Sequence, residues 1–224
     1  MQNITQQPMT PIILWGTRLS PYVRKVMFAL EEKNIAYEQK EILPKVLLEA
    51  TGEDIPSDFL LTSPLGKIPA LQVGAVYLAD SAVIAQYLDK KFTNGVRLYP
   101  ENPEQYAKSL WFERYSDDIL TQVAYKKIFV ELVIKPKILN CASDLKVVEE
   151  AKDKELPPLL TYLNDSLAQT YWFAGEQISM ADIAVATQLL ALDVAGYKID
   201  ARLRHLHRFL TEIFKRPAFK KVIG

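Results

Sequence analysis

The stretch Ile12-Ile13-Leu14-Trp15-Gly16-Thr17-Arg18-Leu19-Ser20-Pro21-Tyr22-Val23-Arg24-Lys25-Val26 decides how the chain begins to fold. Its four leading apolar residues read as a buried strand, a short loop follows, and Ser20-Pro21 opens a helix. Serine is a favoured N-cap, and proline is tolerated at the first helical position because that N–H has no partner in any case. The free N–H groups and the dipole of such a helix end attract an anion. Ser20 therefore either only caps the helix or also holds a reactive thiolate.

Downstream, residues 21–33 carry Val23, Val26, Met27 and Leu30 on one face and Arg24, Lys25, Glu31 and Glu32 on the other, the pattern of an amphipathic helix. Alternation between residues 35 and 42 predicts a second strand. Prolines at 44, 56 and 64, with a Gly52-Glu53-Asp54 turn, predict an irregular stretch over 43–64. Residues 68–73 and 75–78 read as strands joined at Gly74, and 80–92 as a helix that turns Val83, Ile84, Tyr87 and Leu88 to one side. This order predicts a small mixed sheet with helices against it. Asn94, Gly95, Pro100 and Pro103 mark a linker. Beyond it, amphipathic patterns over about 104–134, 144–168, 179–195 and 202–215 predict helices alone. The expected division is an α/β domain at 10–92, a linker at 93–103 and an all-helical domain at 104–224.

Composition narrows the function. Among 224 residues, 27 Lys and Arg balance 27 Asp and Glu, which argues against a nucleic-acid surface. No apolar run approaches the roughly 18 residues of a membrane span, and the polar opening Met1-Gln2-Asn3-Ile4-Thr5-Gln6-Gln7 has no apolar signal segment. The single cysteine, Cys141, excludes an internal disulfide and a cysteine metal cluster. The two histidines, His205 and His207, lie among Arg202, Arg204 and Arg208 and read as solvated surface, so no metal site is expected. These readings together point to a cytoplasmic protein without nucleic-acid or membrane partners.

Two more segments carry chemistry. In Gly66-Lys67-Ile68-Pro69-Ala70-Leu71 a proline enters a strand, which confines it to an edge or a bulge. The segment is either an ordinary strand start or a bend that turns the backbone of Ile68 outward toward a peptide-like ligand. Asp80-Ser81 opens the helix that follows. Capping alone explains both residues. Alternatively Ser81 and the helix N–H groups receive a ligand carboxylate while Asp80 pairs with an ammonium, as one amino-acid end would require. Farther on, Ser179 and Asp182 read as a capping box that starts a core helix.

Taken in order, these pieces resemble the cytosolic glutathione transferases of the serine type, over residues 11 to about 222. The likeness rests on Ser20 to Val26, Asn34-Ile35-Ala36-Tyr37-Glu38, Ser63 to Leu71, Asp80 to Leu88, and Phe173-Ala174-Gly175 with Ser179 to Ala184. It implies a thioredoxin-like α/β N-terminal domain and an all-α C-terminal domain, glutathione as co-substrate, a small hydrophobic electrophile, no metal, and a homodimer. It implies Ser20 as the catalytic residue on the glutathione sulfur. It implies Ile68 with a cis Pro69 against the cysteinyl unit, and Asp80 and Ser81 at the γ-glutamyl end. Lys67 and Lys45 are implied near the glycyl carboxylate. Asp80 stands where Glu or Gln is commoner and so reaches less far, and Cys141 matches no reactive cysteine of the family. Of the aromatic residues Trp15, Tyr22, Trp111, Phe112 and Tyr115, the expected electrophile wall is Tyr22, Trp111 and Tyr115, the last two sharing a helix face at i, i+4.

The energetics are adequate. Lowering a thiol from about 8.5 toward 7 takes roughly 2 kcal/mol. A hydrogen bond to a charged group contributes about 1.5–3 kcal/mol, and the helix end about 0.3–1 kcal/mol more. A serine cannot form the mixed disulfide that a cysteine would. Conjugation, with glutathione peroxidase activity beside it, is therefore expected over disulfide exchange. A non-catalytic binding or regulatory protein of the same fold, and a glutathione-dependent isomerase, are the alternatives.

Overall fold

The computed structural model describes residues 11–93 and 95–223. The polar opening stretch, residue 10, Asn94 of the expected linker and Gly224 lie outside the described residues.

Four short strands form one sheet in the order β2-β1-β3-β4: β1 Ile12–Trp15, β2 Glu38–Lys40, β3 Ala70–Val73 and β4 Val76–Ala79. The first two are parallel, joined through helix α1 (Pro21–Glu32), as a parallel pair requires a crossover. β3 runs antiparallel to β1, with Leu14 opposite Leu71, and β4 antiparallel to β3. The central strands are apolar because both their faces are covered, and Leu14 and Leu71 are fully buried. A two-residue turn joins β3 to β4, with Gly74 at φ +60, where a side chain is disfavoured. α4 (Ser81–Lys91) follows β4 and turns Ile84 and Leu88 into the core. Val83, expected inward, is half exposed.

The segment 43–64 is not irregular. It holds α2 (Lys45–Thr51) and α3 (Ser57–Thr62). Pro44 and Pro56, read as breakers, are instead the caps from which these helices start, and Gly52 ends α2 at φ +74. The second strand is shorter than the alternation suggested.

Everything after residue 100 is helical apart from connecting turns and one isolated bridge between Trp172 and Gly175, among the described residues. A rod over 103–137 joins α5 (Pro103–Arg114), π1 (Tyr115–Leu120), α6 (Thr121–Val123), π2 (Ala124–Ile134) and α7 (Lys135–Lys137), the π segments being wide turns with i→i+5 bonding. Next come α8 (Leu145–Glu150), π3 (Ala151–Glu155), α9 (Leu156–Ser166), α10 (Met180–Val194), α11 (Arg204–Lys215) and a short α12 (Pro217–Ile223) that the pattern had not revealed. α10 is buried from Met180 through Leu192, which is why it reads as apolar on every side. Its capping box is present: Asp182 accepts from the Ser179 amide at 2.8 Å, and the Ser179 side chain caps the third residue of the helix.

One apolar core runs through both halves. α1 is held between them, with Phe28 stacked on Phe219 of α12 at a ring separation of 3.6 Å. Glu32 receives Arg216 in a two-pronged pair at 2.6 Å, and Glu31 receives Lys221 at 2.7 Å. The connecting segment is also tied down. The Asp89 carboxylate accepts from the amides of Leu98 and Tyr99, while Lys33 bonds both Asp89 and the Val96 carbonyl.

Candidate active site

β1 delivers the chain to Gly16, whose φ of +142 and contact with the Val23 side chain exclude a larger residue. The loop then turns Ser20 into the N-cap of α1 in extended geometry, its Oγ accepting from the Val23 amide at 3.4 Å. That bond uses a lone pair and leaves the hydroxyl proton to donate. Ser20 opens onto a small cavity of about 190 Å³, lined also by Thr17, Leu19, Leu43, Leu47, Tyr125 and Ile134.

Beside it lies a larger cavity of about 870 Å³, bordered by Asp80, Ser81, Glu113, Arg114 and Asp117. Tyr22, Lys67 and Ile68 border both. The three segments singled out in the sequence thus meet at one two-lobed cleft. Lys67 is exposed, and its carbonyl accepts from Ser63 Oγ at 2.7 Å. The Ile68–Pro69 bond is cis, and strand pairing starts only at Ala70, so the Ile68 backbone lies outside the ladder. Lys45 lines neither lobe. Its amide donates to the Gly66 carbonyl at 2.8 Å and its side chain pairs with Glu49, so it supports the loop before Lys67.

Asp80 caps α4 from φ +84, its Oδ1 accepting from the Ala82 and Val83 amides at 2.9 and 3.1 Å. This corrects the expectation that those helix amides await a ligand. What remains at this end is Ser81 and the other Asp80 oxygen.

Trp111 and Tyr115 do share one face, but it faces away from both lobes. Trp111 Nε1 donates to the Tyr162 hydroxyl at 2.8 Å, and Tyr115 lies 5.0 Å from the Tyr162 ring. Each helical residue is rotated about 100° from the last. The cleft is therefore walled by the next face round: Leu110, Glu113, Arg114 and Asp117, then Tyr125 past the wide turns. Trp15 packs under Lys40 and against Phe59 instead, and Phe112 is core.

Two features were missed in the sequence. Leu43 and Leu47 come from the stretch read as irregular. Lys25, assigned to a solvated face, is fully buried, because the helical half covers that face. Its Nζ bonds Glu113 at 3.1 Å and Asp117 at 2.5 Å, and the other Glu113 oxygen accepts from the Tyr99 hydroxyl at 2.8 Å. Burial alone would lower the Lys25 pKa, but Asp117 and Glu113 raise it above the ordinary lysine value, so it keeps its charge. Burial pushes the Asp117 carboxyl up, only partly offset by Lys25. The Asp80, Glu113 and Asp117 carboxylates share this lobe with the cations Lys67 and Arg114, and Lys25 lies behind it, so the lobe offers partners for both an ammonium and a carboxylate. The Tyr22 hydroxyl is occupied, bonded to Thr121 Oγ1 at 2.7 Å and donating to the Asp117 carbonyl at 3.3 Å.

The cleft therefore brings a helix N-terminus with a hydroxyl free to donate into one lobe and paired charges of both signs into the other. Comparison with known proteins identifies the family. Residues 14–95 match the family model of the glutathione S-transferase N-terminal domain, and residues 123–217 that of the C-terminal domain. A probable glutathione S-transferase of Oryza sativa subsp. japonica is 30% identical over 216 residues, 96% of each chain. Among solved structures, glutathione S-transferase III in apo form is 29% identical with a TM-score of 0.79, covering 95% of each chain. Glutathione S-transferase-I bound with lactoylglutathione is 28% identical with a TM-score of 0.81, covering 95% of this chain and 98% of the other.

Proposed function

As the chain belongs to the glutathione S-transferase family, we propose that it conjugates the glutathione thiolate to small hydrophobic electrophiles and reduces organic hydroperoxides at the same site. The observation that carries this reading is the Ser20 hydroxyl. It caps α1 with a lone pair, keeps its proton for a sulfur, and opens onto the small lobe, which shares Tyr22, Lys67 and Ile68 with the larger one.

In this reading glutathione lies across both lobes. Its γ-glutamyl ammonium meets Asp80 and its γ-glutamyl carboxylate meets Ser81. The Ile68 backbone pairs with the cysteinyl unit beside cis Pro69, and Lys67 faces the glycyl carboxylate, while Lys45, which lines neither lobe, supports the loop that carries Lys67. The thiolate is stabilised by Ser20 and the α1 dipole without a general base. An electrophile held in the small lobe is attacked as if intramolecularly. Tyr22 forms the wall between the lobes, and Leu43, Leu47, Tyr125 and Ile134 replace Trp111 and Tyr115 around the electrophile. We further read the protein as a cytoplasmic detoxifying homodimer with a domain division at 93–103. The apolar side chains of Leu65, Tyr77 and Val83, exposed on the β4–α4 side, support pairing.

Ser20→Ala tests the assignment. Losing one hydrogen bond to a charged sulfur, about 1.5–3 kcal/mol, should cut kcat/KM with chlorodinitrobenzene by more than about tenfold. Glutathione affinity, measured by calorimetry, should change little. Near-wild-type turnover would refute the role of Ser20. Glutathione binding by the wild type without turnover on a broad electrophile panel would favour the binding protein.

A further inference from the structure

Tyr22 borders both lobes, yet two of the residues that hold it, Thr121 and Gln188, line neither. The Tyr22 hydroxyl donates to the Asp117 carbonyl at 3.3 Å and lies 2.7 Å from Thr121 Oγ1. Gln188 Nε2 in turn donates to Thr121 Oγ1 at 3.2 Å. With its own proton spent on Asp117, Tyr22 accepts from Thr121, and Thr121 accepts from Gln188, so the bonds run in one direction. Thr121 and Gln188 are both buried. Thr121 sits in α6, between the wide turns π1 and π2, and Gln188 on the core helix α10. A second bond secures the rod to that helix, Ser116 Oγ donating to the Ala184 carbonyl at 2.8 Å. The Tyr22 ring also meets the edge of Tyr125 at 6.2 Å, and Tyr125 stacks on Phe129 at 5.4 Å. The aromatic partition between the lobes thus belongs to α1 by its backbone and is fixed by the helical half. A buried hydrogen-bonded chain of this kind selects one arrangement.

Resting on the glutathione-transfer reading, we propose that Thr121 and Gln188 are positioning residues that set the size of electrophile the protein accepts. They hold Tyr22 as a fixed partition and so limit the small lobe, about 190 Å³, to electrophiles with a single ring. A two-ring electrophile needs the partition to shift toward the larger lobe. Cutting the tether at either end of the Thr121–Tyr22 bond has the same consequence, because that bond acts through the Tyr22 ring alone. The thiolate end is not involved: Thr121 and Gln188 line neither lobe and touch no part of Ser20 or the loop that carries it.

Benzyl isothiocyanate and 1-naphthylmethyl isothiocyanate test this, since they share a reactive group and differ by one ring. The wild type should favour the benzyl compound in kcat/KM by at least about tenfold. Thr121→Val keeps the shape and removes the hydroxyl. It should lower that preference at least about threefold, with glutathione affinity by calorimetry within about twofold of wild type. Tyr22→Phe keeps the ring and removes its hydroxyl. It should lower the preference by a similar factor, and the double variant by no more than either single one. Thr121→Ser keeps the hydroxyl and should keep the wild-type preference. Tyr22→Phe carries the test by itself if Thr121→Val does not fold. An unchanged preference in either variant, equal losses on both substrates, additive effects in the double variant, loss of the preference in Thr121→Ser, or a wild type indifferent to ring number overturns the proposal and leaves the transfer reading intact. A wild type that binds glutathione but turns over neither isothiocyanate nor chlorodinitrobenzene overturns that reading as well.

Discussion

At the residue scale, Lys25 sets the electrostatics of the cleft from beneath. It sits one turn and a half into the helix that Ser20 caps, and its two carboxylate partners belong to α5 and π1. Replacing it with methionine leaves Glu113 and Asp117 buried without a cation. Loss of one member of a buried ionic set costs about 3–5 kcal/mol. The sign with pH follows from the stranded acids. Burial raises the folded pKa of Asp117 above the unfolded one, so the folded variant prefers it protonated. Its deficit against wild type should be largest at pH 8 and shrink toward pH 5. Urea denaturation of both proteins at the two pH values measures this, and an equal or larger deficit at pH 5 would refute it.

At the element scale, the start of α10 is the most constrained point of the helical half. Asp182 accepts from the amides of Phe173 and Ser179 and from Ser179 Oγ, all within 2.8–2.9 Å. Burial outweighs these bonds and raises its pKa to about 6. The native state therefore binds this proton more tightly than the unfolded chain. The stability it contributes is full below the unfolded value of 3.8 and lost as pH rises through about 6. A carboxyl carbon titration by NMR should find a midpoint near 6, and a midpoint below 4 would contradict it. Ser179→Ala should cost about 1 kcal/mol by chemical denaturation, and should raise the Asp182 midpoint further.

This capping box was legible in the sequence because its spacing is local, as was the Ser20-Pro21 start of α1. β1, β3 and β4 could be read because they are largely apolar, whereas β2 is the polar run Glu38-Gln39-Lys40, and the alternation around it overstates its extent. What could not be read depends on packing between distant segments. Whether Lys25 meets water or two carboxylates is decided by α5 and π1, nearly ninety positions on. Whether Pro44 ends a structure or begins one depends on what α2 packs against. The choice between the Trp111 face and the Tyr125 face depends on wide turns that leave no mark on the apolar pattern.

At the scale of the whole molecule, the two halves share one core and the segment between them is pinned by Asp89 and Lys33. They should unfold together. Phe219→Ala, which removes the stack on Phe28 from the far end of the chain, should lower stability by about 3–5 kcal/mol. It should leave a single transition, followed in parallel by tryptophan fluorescence and circular dichroism. Two separated transitions would show that the halves are independent. The proposed homodimer is checked by light scattering after size-exclusion chromatography, where a monomer at micromolar concentration would refute it. The wide turns in the 103–137 rod bear on how such a molecule can diversify. Loss of a single codon between residues 118 and 124 would rotate everything downstream by about 100°, carrying Tyr125 out of the cleft and a different side chain in. A one-residue deletion there would re-wall the small lobe in one step while leaving Ser20, Glu113 and Asp117 in place, so deletion as well as substitution would alter what that lobe accepts.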